Sequence, residues 1–364
     1  MISEINSRVR SYLRPIKRTL RIAFYRLLLS VPKGADFYYA FHRQYQREHS
    51  ITLLAKLRHL EANCASQGVA TKKALEFRLR RNVHRLEKGL IMRPRRTVFA
   101  LDYINETVDL YNSIRSSRES SGAGQESSLE KWSRDVLKRY FEVVGKSEVV
   151  DASRKKFEIN EVSVDGSADY SPQRLVLEGK LPTPEQFASL ARTRKSVRWY
   201  QPRTVPRDAI DRAVQLAGLS PSACNRQPFR FVVFDRPEDA AIVGAVPLGT
   251  VGFAQNFPCV IVVVGDIGAY FDEKDRHVIY IDAGLASMAL QFSFVCDGLG
   301  CCCINWPDVA SQDKRLRELV KMEPTERAVM LISVGYPLED GLVPYSAKKE
   351  VELLRSYPAI GTDK

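Results

Sequence analysis

Arg194-Lys195-Ser196-Val197-Arg198-Trp199-Tyr200, followed by Ser220-Pro221-Ser222-Ala223-Cys224-Asn225-Arg226-Gln227-Pro228-Phe229-Arg230-Phe231, decides how this chain is read. The first segment puts three cations and a hydroxyl within five residues, directly behind a predicted helix. In an extended chain the side chains alternate, so Arg194, Ser196 and Arg198 share one side. Two guanidiniums and a hydroxyl suit an anion with several oxygens, such as a phosphate. Cations in this position would also stabilise a helix C-terminus through its dipole, so the cluster alone is ambiguous. The second segment offers hydrogen-bonding groups to the edge of a flat heterocycle. Asn225 and Gln227 would serve equally well to shape a turn.

Working outward, Thr183-Pro184-Glu185-Gln186 is a helix start. Thr183 can cap, Pro184 suits the first turn and Gln186 completes a capping box. The helix is expected to carry Phe187, Leu190 and Ala191 inward and to deliver Arg194 at its end. A second helix is predicted over 206–217, with Gly218 as its stop. Residues 231–234 and 259–264 read as buried strands, 279–296 as a long helix, and 299–304 and 328–334 as further strands. This alternation predicts an α/β or α+β core with both sheet faces covered.

Taken in order, these segments resemble the nitroreductase family of flavin enzymes. The likeness continues through the strand after Pro258, Asp282-Ala283-Gly284-Leu285-Ala286, Gly298-Leu299-Gly300-Cys301-Cys302-Cys303-Ile304 and Gly335-Tyr336-Pro337, covering about residues 182–355. The resemblance implies an α+β fold with a mixed β-sheet flanked by helices. It further implies FMN, bound non-covalently at the interface of a homodimer. By position, Arg194, Lys195, Ser196 and Arg198 would hold the phosphate and ribityl end, joined by the late basic residues Lys348 and Lys349. Pro221, Ser222, Ala223 and Asn225 would come from the other subunit and line the isoalloxazine edge. Cys303, Ile304 and Asn305 would approach the ring largely through their backbone. NADH or NADPH would supply hydride, and a small-molecule electron acceptor would receive it. Such chemistry runs at flavin N5 and needs no protein nucleophile, so no catalytic side chain is assigned. The stretch Gly265-Asp266-Ile267-Gly268 lacks the full dinucleotide fingerprint.

The chain has 364 residues, 45% of them hydrophobic, so two units are expected: a basic, mainly helical region over 1–180 and the flavin-binding domain over 181–364. The net charge of +12 is uneven. Residues 1–100 hold 22 Lys and Arg against 6 Asp and Glu, while the remainder hold 33 against 37. A basic front suits an anionic partner, or else it is a set of solvated helix faces. Nucleic acid is not expected, because interleaved aromatics and a known binding motif are missing. No signal peptide is expected. The apolar run at 22–31 is interrupted by Arg26 and is too short to span a bilayer. With Arg14, Lys17, Arg18 and Arg21 ahead of it, that run would lie on an anionic membrane surface or pack as a helix on the rest of the protein. The expected location is cytoplasmic, with peripheral membrane contact in the first of these cases.

Helices are predicted over 74–90 and 132–144, an exposed Ser/Gly linker over 116–129 and an irregular connection over 146–180. His84 and Glu87 lie one turn apart and read as an ion pair or docking surface rather than a metal pair. The seven cysteines are odd in number, and Cys301, Cys302 and Cys303 would alternate faces on a strand. They are read as reduced thiols, with no metal site. An alternative to the enzyme is a non-catalytic flavin-binding or dimeric scaffold whose basic helices bind a membrane surface or a protein.

Overall fold

The computed structural model describes residues 17, 19–63, 72–122, 125–159, 170–175, 179 and 181–358. Arg14, Arg18 and Cys64 lie outside them. Four strands form the sheet: β1 (Phe229–Phe234), β2 (Cys259–Asp266), β3 (Gly300–Asn305) and β4 (Glu326–Gly335). Their spatial order is β1-β2-β4-β3, and every neighbouring pair is antiparallel. A parallel contribution comes from the bridge between Ser196 and Cys301 at the β3 edge.

The run Cys259-Val260-Ile261-Val262-Val263-Val264 explains the layering. Every residue of β2 is buried. Side chains alternate along a strand, so Cys259, Ile261 and Val263 pack under α9 (Arg207–Gly218) and α11 (Val278–Cys296). Val260, Val262 and Val264 face the opposite side, against α10 (Pro237–Gly244) and α12 (Ala310–Val320). Glu273–Cys296, which includes α11, is long and apolar enough to cross a membrane among the described residues, but half of it is buried within the fold. It is the central core helix.

Among the described residues, the front of the chain is helical. α1 (residues 19–30) is followed by α2 (Gly34–Ala40), α3 (Arg43–Asn63), α4 (Lys72–Leu90), α5 (Ile104–Ser120), α6 (Ser128–Val143) and α7 (Glu148–Glu158). α4 to α7 share a core that includes Leu79, Val83, Leu86, Val108, Val136, Leu137 and Tyr140. Two expectations are corrected here. Residues 116–120 complete α5 instead of opening a linker, and Ser127 with Glu130 forms the capping box that starts α6. Glu130 also pairs with Arg118 across the turn at 2.8 Å, so the polar residues cap and join two packed helices. Likewise 148–158 is a helix capped by Ser147 rather than irregular chain. His84 and Glu87 face each other at 3.6 Å, and Trp132 Nε1 donates to Glu87 at 2.9 Å.

α3 and α4 dock on one end of the sheet. Ala55 and Phe77 join Ile267, Ala269, Tyr270 and Ile279 in a buried cluster. Lys73 reaches Asp266 at 2.6 Å and Glu326 at 2.9 Å, and Lys56 reaches Glu273 at 2.9 Å. Burial alone would push Glu326 up, but hydrogen bonds from Arg230, Lys73 and the Glu323 N–H bring it down to about 2.

Candidate functional site

The Arg194–Arg198 segment is positioned by α8 (Pro184–Thr193). Thr183 and Gln186 form its capping box, and Arg194 is its C-terminal cap in an extended conformation. The apolar face of α8 is a correction. Phe187 is 54% exposed and Ala191 is exposed, while Leu190 is half-buried. Phe187 touches the rest of the fold through the ring of Phe292, at 5.5 Å between centroids.

After Arg194 the chain runs beside β3. Val197 is buried, and its N–H donates to Cys301 O at 3.1 Å. Arg194, Ser196 and Arg198 are half-buried and Lys195 is exposed. Arg198 Nη1 donates to Ser196 O at 3.4 Å. Neither Arg194 nor Arg198 pairs with a carboxylate among the described residues. The close approach requires Gly300, because a Cβ there would lie 2.7 Å from Val197 Cγ2. Gly298, with φ of +73°, turns the chain out of α11 into β3.

Three side chains that sequence reasoning passed over fix this segment. Asn256 donates from Nδ2 to Arg198 O at 3.0 Å and accepts from Tyr200 N–H at 3.0 Å. Tyr200 O–H donates to Val197 O at 2.7 Å and also lies 2.8 Å from the Ser333 hydroxyl. No spacing pattern marks Asn256, since the partners that tie it to this segment are backbone atoms more than fifty residues away.

Strand geometry sets the three cysteines on alternating faces, but their burial does not alternate. Cys301 and Cys302 are buried and Cys303 is exposed. Burial pushes the Cys301 thiol up to about 12 and partial desolvation pushes Cys303 up to about 11. Burial also raises Cys302, while Arg198, Ser196 and Arg194 act in the opposite sense. All three therefore stay protonated near neutrality, which suits packing and not nucleophilic attack. No group of three or more possible metal ligands occurs among the described residues.

Pro221, Ser222, Ala223 and Asn225 lie at the start of β1. Asp282, also missed as a site-building residue, anchors them by accepting from Ala223 N–H at 3.1 Å and from Tyr270 O–H at 2.8 Å. Ser222 Oγ accepts from Gln227 N–H, and Gln227 Nε2 donates to Asn225 Oδ1 at 2.9 Å. Cys224, Asn225 and Gln227 have φ of +54°, +50° and +50°. Left-handed conformations at residues other than glycine are costly and collect where a loop must present its backbone in one way.

These two segments are not brought together within one chain. Cys301 is level with Val334 and Cys259, whereas Phe229 is level with Gly265. The Arg194–Arg198 loop, one step outside β3, and the 221–227 loop therefore lie about 20 Å apart along the strands and about 19 Å apart across them. Cys303, Ile304 and Asn305 continue along the β3 edge, with Ile304 buried and its two neighbours exposed. Lys348 and Lys349 are exposed on the irregular chain after β4 and make no ion pair among the described residues.

Comparison with known proteins agrees with this architecture. The Nitroreductase family model matches residues 191–246 and 240–336. The chain is 25% identical over 206 residues to iodotyrosine deiodinase of Hydra vulgaris, spanning 50% of this chain and 75% of that protein. A second match, to iodotyrosine deiodinase of Danio rerio, is 38% identical over 64 residues, 18% of this chain and only 22% of that protein. An FMN-dependent nitroreductase from Clostridium difficile superposes with a TM-score of 0.38 at 25% identity, covering 44% of this chain and 92% of the other. Residues 191–336 of this chain form a domain of the nitroreductase family.

Proposed function

We propose that the protein is an FMN-dependent oxidoreductase, working as a homodimer in which each FMN lies between subunits. The observation that carries this reading is the pair of half-buried arginines, Arg194 and Arg198, which flank Ser196 beside β3 and have no carboxylate partner among the described residues. A phosphate fits that donor set, and Gly300 lets the segment close on β3. The outer edge of β3 beyond Cys301 has no strand partner among the described residues, leaving backbone groups of Cys303 and Asn305 available to a planar ring. Pro221, Ser222, Ala223 and Asn225 lie too far off to serve the same ring, so they serve the partner's. We place the boundary between the helical region and the flavin domain near residue 181.

When bound, FMN supplies a ring that accepts a hydride at N5 from NADH or NADPH and passes it to an organic acceptor, in ping-pong order. The chain's own residues bind and orient. Arg194, Lys195, Ser196 and Arg198 hold the phosphate end, and Lys348 and Lys349 on the C-terminal arm join them in the dimer. Similarity to proteins named iodotyrosine deiodinase supports dehalogenation as one candidate reaction, and the Nitroreductase family match supports nitro reduction as another. The experiment is anaerobic addition of NADH or NADPH to the yellow, FMN-loaded protein. The ring absorbance is expected to bleach and to return when an acceptor is added. A yellow protein that neither nicotinamide bleaches would favour the flavin-binding scaffold.

A second reading concerns the front helices. Leu20, Phe24, Leu27, Leu29, Phe37 and Phe41 are all exposed, alongside the exposed cations Lys17, Arg21 and Arg26. Apolar side chains interleaved with cations suit the interface of an anionic bilayer. Cosedimentation with phosphatidylserine vesicles, lost in high salt and absent with phosphatidylcholine, is the expected result. Equal recovery with both lipids would exclude it.

A further inference from the structure

A cavity of about 200 Å3 opens between α4 and the chain leading into β1. Its charges do not cancel. Asp266 is engaged by Lys73, and Glu326 by both Lys73 and Arg230. Glu76 stands one turn before Arg80, and its carboxylate makes no hydrogen bond among the described residues. Arg226 is only 8% exposed. Its guanidinium reaches Ala223 O at 3.3 Å and lies 4.8 Å from the centre of the Tyr270 ring, but pairs with no carboxylate among the described residues. Asp282, which takes up the Tyr270 O–H, is already accepting from Ala223 N–H as well. Arg80 is half-buried and, among the described residues, makes no hydrogen bond, with Glu76 its nearby carboxylate. Arg81 sits close enough to Arg226 for their like charges to repel, and desolvation lowers the pKa of both Arg80 and Arg81. Arg226 is buried and Arg80 half-buried, and Glu76 offsets the charge of Arg80 alone, so the pair is short of negative charge that an anion would supply.

We propose that this cavity binds the oxyanion group, carboxylate or phosphate, of a small organic acceptor with a flat apolar body. Arg226 and Arg80 grip the oxygens, the exposed Arg81 lies outside the lining and adds charge near Arg226, and Phe77, Pro228 and Phe229 supply the apolar wall. The cavity adjoins the loop assigned to the ring edge, because Gln227 lines it and bonds Asn225. Placement next to a ring rests on the flavin reading; the oxyanion site itself rests on its own side chains. Since α4 contributes Arg80 and Arg81, the front helices help select the acceptor.

The test is calorimetric binding of 4-nitrobenzoate, 4-nitrophenyl phosphate and neutral 4-nitrobenzyl alcohol to the full-length protein as purified. At least one anion should bind about tenfold more tightly than the alcohol. That gap should shrink below about twofold in Arg226→Gln and in Arg80→Gln, while Arg226→Lys keeps part of it. The tighter anion identifies the head group. Equal binding of all three probes, or an unchanged gap in folded Arg80→Gln and Arg226→Gln proteins, would overturn the proposal. Should Arg226→Gln not fold, Arg80→Gln and Arg226→Lys decide the question. Anaerobic NADH and NADPH are added to the same preparation. An intact anion preference without bleaching would sink the flavin reading and leave this one standing.

Discussion

Glu326 shows how one side chain can hold two parts of a chain together. It is 1% exposed and receives Lys73 from α4 and Arg230 from β1. Its folded pKa of about 2 lies below the ordinary 4.5, so its contribution is complete above pH 4.5 and is lost as pH falls toward 2. That contribution is on the order of 3 kcal/mol near neutrality. Glu326→Gln should therefore be less stable than the parent to urea at pH 7, with the difference narrowing steadily below pH 4.5. A difference that stays constant from pH 7 to pH 3 would refute the assignment. Nothing in the sequence marks Glu326, Asn256 or Asp282 as site-building, because each works through partners brought in by the fold. Arg194, Ser196 and Arg198 are different. Their spacing alone puts them on one side of an extended segment, although Val197 N–H also donates back to Lys195 O at 3.1 Å, a tight turn around Ser196.

At the scale of elements, α8 and α11 present apolar groups that the single chain leaves open. Ile281, Leu285 and Met288 are exposed on α11, and Phe187 on α8. Leu342, Tyr345, Leu353 and Tyr357 are exposed along the chain after β4. A homodimer would cover such surfaces, and under the proposed reading it would also bring the 194–198 loop of one subunit and the 221–227 loop of the other to one ring. Leu285→Arg should convert the protein to monomers by analytical ultracentrifugation and reduce bound flavin at the same time. Full flavin content in a monomer would disprove the shared site. This exposure is why α8 was misread. Phe187, Leu190 and Ala191 form an apolar stripe at helical spacing, and the stripe does not say whether its cover lies within the chain or in a second copy. The strands were easier, since the uninterrupted apolar run of β2 leaves no polar face and demands helices on both sides. The Ser/Gly stretch at 116–129 misled because its serines cap and terminate helices, and composition alone does not separate a cap from a linker.

Over the whole molecule, the first hundred residues hold 22 of the chain's 55 cations, and the described helices α3 and α4 within them dock on the sheet through Phe77, Lys56 and Lys73. Docking brings α4 to the 221–227 loop, which ties the extension to the site. The claim beneath this arrangement is that the 194–198 segment binds the phosphate of FMN. Equilibrium titration with FMN and with riboflavin, which has the same ring and no phosphate, tests it most directly. FMN should bind at least about 100-fold more tightly, and the advantage should largely vanish in the Arg194→Ala, Arg198→Ala double variant. Equal affinity for the two flavins in the folded parent protein would contradict the account.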